Sequence, residues 1–269
     1  MLVITKVFLI AIGKQKTKAI MYKISNFIEP LWNQAMEQNV VNIISLLVKN
    51  KNAVVLDVGC GDGKFTFQFK QKIGCRKIVG IEGDKQRIIE AKRNGINEIV
   101  DFDLEKKWPF PDKSFDVIIS NQVIEHIVDL DLFISEIYRL LKPGGYCVIS
   151  TENLASWHNI GALFLGYQDF SHHLISKKHV GNPLSIHYGE KTGGWGDKIT
   201  KHDNSSIYPH IKIATYISLI NIFKAYNFIF NKGKASGYYP LFGFLSTFAS
   251  SIDPYHSHFI TIKMVKPKK

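Results

Sequence analysis

The sequence predicts an α/β protein built on one open, doubly wound sheet of seven strands, with a long insertion after the fifth. Three observations carry that expectation. The run Val54–Val58 is short, apolar and largely β-branched, as a strand covered on both faces must be, and it breaks into Gly59, Gly61 and Gly63. From there to Ser150, strand-like and helix-like segments alternate, which requires parallel crossovers of one hand. Two more strand signals follow residues 153–212, a stretch with neither period.

Taken in order, residues 1–20 read as a tail. The apolar run Val7–Ile12 is far shorter than the roughly 20 residues that cross a bilayer, and Lys14, Lys16 and Lys18 stand where a secretion leader would carry small neutral residues. Leu31, Met36, Val40, Ile43, Ile44 and Leu47 recur at three- and four-residue spacing, so an amphipathic helix is expected over 31–48. After the first strand come a helix over 64–73, a strand over 77–81, and a helix over 85–94 with Asp84 as N-cap and Gly95 as left-handed cap. A strand over 98–102 follows. The turn-rich Pro109–Lys113 leads into a strand over 115–120 and a helix over 129–141, and Pro143-Gly144-Gly145 calls for a sharp turn before a strand over 146–150. A helix over 213–226 and strands over 228–231 and 258–265 return to the core. Residues 1–50 are thus a tail and helical segment, 51–152 the core, 153–212 a lid, and 213–269 the rest of the same domain.

The net charge of +11 is unevenly spread. Residues 51–152 hold 15 basic and 16 acidic side chains, whereas residues 153–269 hold 13 and 5. A near-neutral core with basic flanks suits an anionic substrate, a membrane surface or nucleic acid. Cys60, Cys75 and Cys147 lack metal-ligand spacing and are odd in number, which argues against a disulfide framework or zinc site and for a reducing cytoplasm. Seven of the ten histidines fall at 158, 172, 173, 179, 187, 202 and 210, among aromatic residues. They show no helical or zinc-type spacing, so no metal is expected.

In doubly wound sheets a ligand binds beyond the carboxyl ends of the strands. That rule selects the turn after Val58, then Glu82, Asp103 and Asn121. Glycines let a ligand approach the backbone. The Gly-x-Gly-x-Gly spacing differs from the Gly-x-Gly-x-x-Gly of dinucleotide folds, so a nicotinamide-dependent dehydrogenase is disfavoured.

Four ordered stretches, LDVGCGDG at 56–63, the strand-end Glu82, PFPDKSFDVIISNQVIEH at 109–126 and LLKPGG at 140–145, resemble class I S-adenosylmethionine-dependent methyltransferases of the type 11 group, with a Rossmann-like fold. The resemblance covers residues 52–152 and implies S-adenosylmethionine as cofactor. It places Gly59, Cys60 and Gly61 against the methionine part, with Asp57 either ordering the turn or attracting the cationic end. Glu82, with Gly83 beside it, would accept hydrogen bonds from the ribose hydroxyls, and Asp103 from the adenine amino group, with the Leu104 backbone along the ring. Asp101 could substitute for Asp103. Asn121 and Gln122 would line the methyl-donor end, while Asp116 fixes the sheet end.

A hydroxyl acceptor needs a base, and His126 lies nearest the expected methyl, with His158 and the pair His172-His173 as alternatives. Asn121-Gln122-Val123-Ile124 stands where methyltransferases of nucleic-acid amino groups carry an Asn/Asp-Pro-Pro-aromatic tetrad, which argues against base N-methylation though not against every RNA substrate; an RNA-directed methyltransferase using the basic flanks and a non-catalytic cofactor-binding subunit are the alternatives. The basic flank, the aromatic lid and the apolar Tyr238–Leu245 instead suit a glycan, a lipid-linked sugar or another small molecule, handled in the cytoplasm or peripherally at the inner face of the membrane.

Overall fold

The computed structural model describes residues 14–96, 98–172, 182 and 210–269. The chain runs through α1 (Lys14–Leu46), β1 (Val54–Val58), α2 (Lys64–Ile73), β2 (Lys77–Glu82), α3 (Lys85–Arg93), β3 (Ile99–Asp101), β4 (Phe115–Asn121), a 3₁₀ turn (Ile124–His126) and α4 (Leu130–Leu140). It continues through β5 (Leu141–Glu152), α5 (Trp157–Phe164), α6 (Tyr216–Ala225), β6 (Ile229–Ser236), α7 (Gly243–Ile252), a second 3₁₀ turn (Pro254–His256) and β7 (Phe259–Val265).

The strands form one sheet in the order β3-β2-β1-β4-β5-β7-β6. β7 pairs antiparallel with both β5 and β6, and the remaining pairs are parallel. Because side chains alternate across a strand, β1 feeds both faces. Leu56 and Val58 join Ile118, Phe133, Ile137, Leu219, Phe223 and Ile262 in one core, while Val55 joins Val40, Ile43, Phe69, Ile73 and Ile119 in the other. Helices α4 and α6 cover the first face, α1 and α2 the second.

Local chemistry sets the element ends. Asp84 Oδ1 accepts from Gln86 N and Arg87 N at the start of α3, and Asp129 Oδ1 accepts from Leu132 N at the start of α4. Asp116 Oδ2 accepts from Val54 N at 2.8 Å and Lys142 Nζ at 2.7 Å, tying the entrance of β1 to β4 and β5.

Three expectations are corrected. Residues 14–20, read as tail, are the first turns of α1, which continues through Pro30 despite the hydrogen bond a proline withholds. β5 starts at Leu141 rather than 146, because Phe115 pairs with Leu141 and Val117 with Tyr146. The Pro143–Gly145 turn is therefore a bulge inside the strand, with Gly144 at φ +80°. Strand bounds also differ from the apolar runs, β6 extending to Ser236 and β3 spanning only Ile99–Asp101.

Part of the basic surplus is internal. Lys263 Nζ donates to Leu46 O and lies 3.9 Å from the Tyr146 ring centre, and Lys266 Nζ donates to Tyr138 O and Leu141 O. Cys60, Cys75 and Cys147 are buried free thiols. Among the described residues no helix is long and apolar enough to cross a membrane.

Candidate active site at the carboxyl ends of the strands

The turn after β1 holds Gly59, Gly61 and Gly63 at φ +70°, +54° and +78°. Packing demands two of them. A Cβ on Gly59 would lie 2.4 Å from Val123 Cγ2, and one on Gly63 would lie 2.9 Å from Ile96 Cγ1. A Cβ on Gly61 would meet nothing within 4 Å, so its backbone faces open space.

The turn also consumes its own donors. Gly59 N and Cys60 N both donate to Ile81 O, Gly63 N donates to Cys60 O, and Lys64 N donates to Asp62 Oδ1. Cys60 is buried with its sulfur against Gly80, and burial followed by the Asp57 charge pushes its thiol pKa up. Asp57 does not bond the turn backbone directly. Its Oδ2 accepts from Thr66 Oγ1 at 2.6 Å, and the same hydroxyl lies 3.4 Å from Cys60 O. Burial pushes Asp57 up to about 7, with Glu82 adding and Thr66 opposing.

Glu82 is buried at the end of β2. Its Oε2 accepts from Gly61 N at 2.9 Å, and its Oε1 accepts from Gly83 N and Asp84 N at 2.9 and 3.0 Å. A carboxylate has about four acceptor positions, so one remains beside the open backbone of Gly61. At the end of β3, Asp103 is exposed. Its Oδ1 accepts from Glu105 N, and Lys106 Nζ stands 3.4 Å from Oδ2. Leu104 O accepts from Trp108 Nε1. Asp101 lies opposite Glu82 in register, with its side chain exposed.

At the end of β4, Asn121 Oδ1 accepts from Asn39 Nδ2 at 3.0 Å. Asn39, wholly buried on α1, also accepts from Ser150 Oγ and Thr261 Oγ1, so one amide ties α1 to β4, β5 and β7. Gln122 takes φ +56°, donates its N–H to Ser150 O, and keeps Nε2 shielded without a hydrogen-bond partner.

Beyond Gln122 lies a histidine and carboxylate cluster. The His126 and His210 ring centres are 4.7 Å apart, edge to face. His210 Nδ1 is 2.9 Å from Ser171 O and 3.4 Å from Glu152 Oε2. Burial opposes charge on His210, but Glu152 and then Glu125 overcome it and push the ring up to about 9. Glu125 is fully buried, accepts from Thr151 Oγ1 at 2.8 Å, and is pushed up to about 7, chiefly by burial. Glu152 Oε1 also faces His258 Nε2 at 3.7 Å. His158 packs on His258 and Tyr239, and burial followed by His258 holds its pKa well below the usual imidazole range.

Sequence reasoning missed Asn39, Glu125, Glu152 and His258. Only the strand-end position of Glu152 was a readable signal. His172 uses both nitrogens structurally, Nδ1 pairing with Asp169 Oδ2 and Nε2 accepting from Ile213 N, so the segment before α6 is pinned to the lid. His173 lies outside the described residues.

Residues 56–149 match the model of the methyltransferase domain family. The ubiquinone biosynthesis O-methyltransferase of Pelagibacter ubique is 35% identical over 108 residues, covering 38% of this chain and 43% of its own. The malonyl-[acyl-carrier protein] O-methyltransferase of Erwinia billingiae is 27% identical over 120 residues, covering 45% and 47%. The chain thus spans less than half the length of these curated relatives. An S-adenosylmethionine-dependent methyltransferase from Mesorhizobium loti aligns over 83% of this chain and 95% of its own, with TM-score 0.54 and 16% identity. The geranyl diphosphate C-methyltransferase of Streptomyces coelicolor, solved with Mg2+, geranyl diphosphate and S-adenosyl-L-homocysteine, aligns over 86% and 80% with TM-score 0.52 and 15% identity.

The fold is therefore the Rossmann-like fold of class I methyltransferases. Residues 56–149 carry the methyltransferase domain that the family model describes.

Proposed function

We propose that the protein transfers a methyl group from S-adenosylmethionine to a hydroxyl of a small amphiphilic acceptor, such as a lipid-linked sugar or a glycan. The observation that carries the cofactor class is how the site divides donors and acceptors. The N–H groups of Gly59, Cys60, Gly61, Gly63 and Lys64 are bonded within the protein, so little of a phosphate nest remains. Carboxylates Asp57, Glu82 and Asp103 stand in or just past β1, β2 and β3. A ligand with a ribose diol, amino groups and a cationic sulfur, but no phosphate, matches that inventory.

Asp57 would face the cationic methionine end, with Gly59, Cys60 and Gly61 giving a close backbone approach. Glu82 would accept from the ribose hydroxyls next to Gly83. Asp103 would accept from the adenine amino group, Leu104 would flank the ring, and Asn121 and Gln122 would line the methyl end. When bound, the cofactor supplies an activated methyl group for in-line displacement by an acceptor oxygen. The chain's own residues orient that oxygen and remove its proton. His126 accepts the proton, with the His210 ring packed edge to face beside it.

Two observations support an oxygen acceptor on an amphiphile. The ubiquinone and malonyl-carrier relatives are named O-methyltransferases. Phe242, Phe244, Leu245, Phe248 and Ile252, on and beside α7, are exposed, a surface suited to the apolar part of an acceptor or to a peripheral membrane contact. Incubation with methyl-labelled cofactor and fractionated lipids, glycans and RNA tests the reading. Label in the lipid or glycan pool is expected, and label confined to RNA would overturn it.

A further inference from the structure

We propose that Glu125, His126 and His210 form a binding site for a divalent transition-metal ion on the acceptor side of the cleft. One ligand-capable atom from each of the three lies within 4.8 Å of the other two. The carboxylate supplies the independent sign of a missing partner. Glu125 has no exposed surface, its Oε2 accepts from Thr151 Oγ1, and its Oε1 makes no hydrogen bond. Leaving a buried carboxylate oxygen unmatched is costly, and an ion between it and two imidazoles removes that cost.

The surroundings have the form that supports metal-ligating histidines. His210 Nδ1 lies 2.9 Å from the Ser171 carbonyl, with Glu152 behind it, which orients Nε2 as the nitrogen for an ion. Thr151 holds the Glu125 carboxylate in place. His126 is half-buried where its neighbours are fully buried, so it marks the side from which an ion and a substrate oxygen would enter. Two imidazoles and one carboxylate suit zinc and related first-row ions, with coordination positions left for a substrate oxygen.

This inference rests on the methyltransferase reading and changes His126 from proton acceptor to ligand when the ion is present. A coordinated acceptor hydroxyl would lose its proton to solvent. Its oxygen would bond the methyl carbon as the carbon–sulfur bond breaks, and the sulfur would keep that electron pair.

Calorimetric titration with Zn2+, repeated with Co2+ while following visible absorbance, tests the site. Wild type and His256→Gln, whose ring pairs with Asp253 outside the cluster, should each bind one equivalent. His126→Gln, which leaves the buried pair in place, should bind at least tenfold more weakly and lose the Co2+ band, with circular dichroism unchanged. Absence of saturable binding to wild type, or equal affinity in His126→Gln, would overturn the site. Titration of the same samples with S-adenosylmethionine separates failure of the metal site from failure of the methyltransferase reading.

Discussion

Replacing Gly59 and Gly61 with alanine should separate what the fold needs from what the ligand needs. Both residues have φ in the left-handed region, at +70° and +54°, where an alanine costs about 1–2 kcal/mol. Only Gly59 has a neighbour in the way, Val123 Cγ2 at 2.4 Å from the added Cβ, and such overpacking adds about 1–3 kcal/mol. Gly59→Ala should therefore cost about 2–5 kcal/mol in urea unfolding and Gly61→Ala about 1–2. In the Val123→Ala background the Gly59 penalty should fall by about 1 kcal/mol or more, a non-additivity expected of contacting residues. For cofactor binding the order reverses in meaning. Gly61→Ala adds a methyl where the backbone faces open space, so it should keep most of its stability yet bind S-adenosylmethionine at least tenfold more weakly, about 1.4 kcal/mol. Equal stability losses in the two variants would refute the packing argument. Unchanged cofactor affinity in Gly61→Ala would refute the approach of the ligand at that point.

Asp57 makes stability fall with pH. Burial lifts its folded pKa to about 7, above the ordinary aspartate value of about 3.9, so the folded state holds a proton that the unfolded chain has lost. The resulting stabilisation is complete below about pH 4 and disappears as pH rises through 7, a change on the order of 4 kcal/mol. Urea unfolding from pH 4.5 to 8 should show wild type losing stability relative to Asp57→Asn, and parallel profiles would show that Asp57 ionises normally. Glu136 is a separate structural test. It accepts from Trp108 N and from Arg139 Nε and Nη2, and Arg139 also donates to Phe110 O and Trp108 O. Glu136→Ala should cost about 3 kcal/mol, lowering the Tm by roughly 6–12 °C. A shift under about 2 °C would mean that the network contributes little.

The β1 turn and Glu82 were legible because a buried strand, a glycine break and a strand-end acid are all local features. Asp84 could be read as a cap for the same reason. The extension of β5 was not, since Pro143-Gly144-Gly145 has turn chemistry and the chain satisfies it with a bulge rather than an end. Nor does any local pattern announce that β7 runs antiparallel. The acceptor side was least legible. His126 and His210 meet only because the segment before α6 crosses the end of β4, where Ile211 N and Lys212 N donate to Glu125 O. No local pattern marks Glu125 as buried, and its complete burial follows from that crossing.

Calorimetric titration of wild type and Glu82→Gln with S-adenosylmethionine tests the assignment of this cleft most directly. Glutamine keeps one acceptor oxygen, enough for either Gly61 N or the Gly83 and Asp84 pair but not for both, and it removes the charge and the second acceptor offered to a ribose diol. The expected result is saturable binding of one equivalent by wild type and at least tenfold weaker binding by a folded Glu82→Gln. Equal affinity in the two, or no binding by wild type, would contradict it.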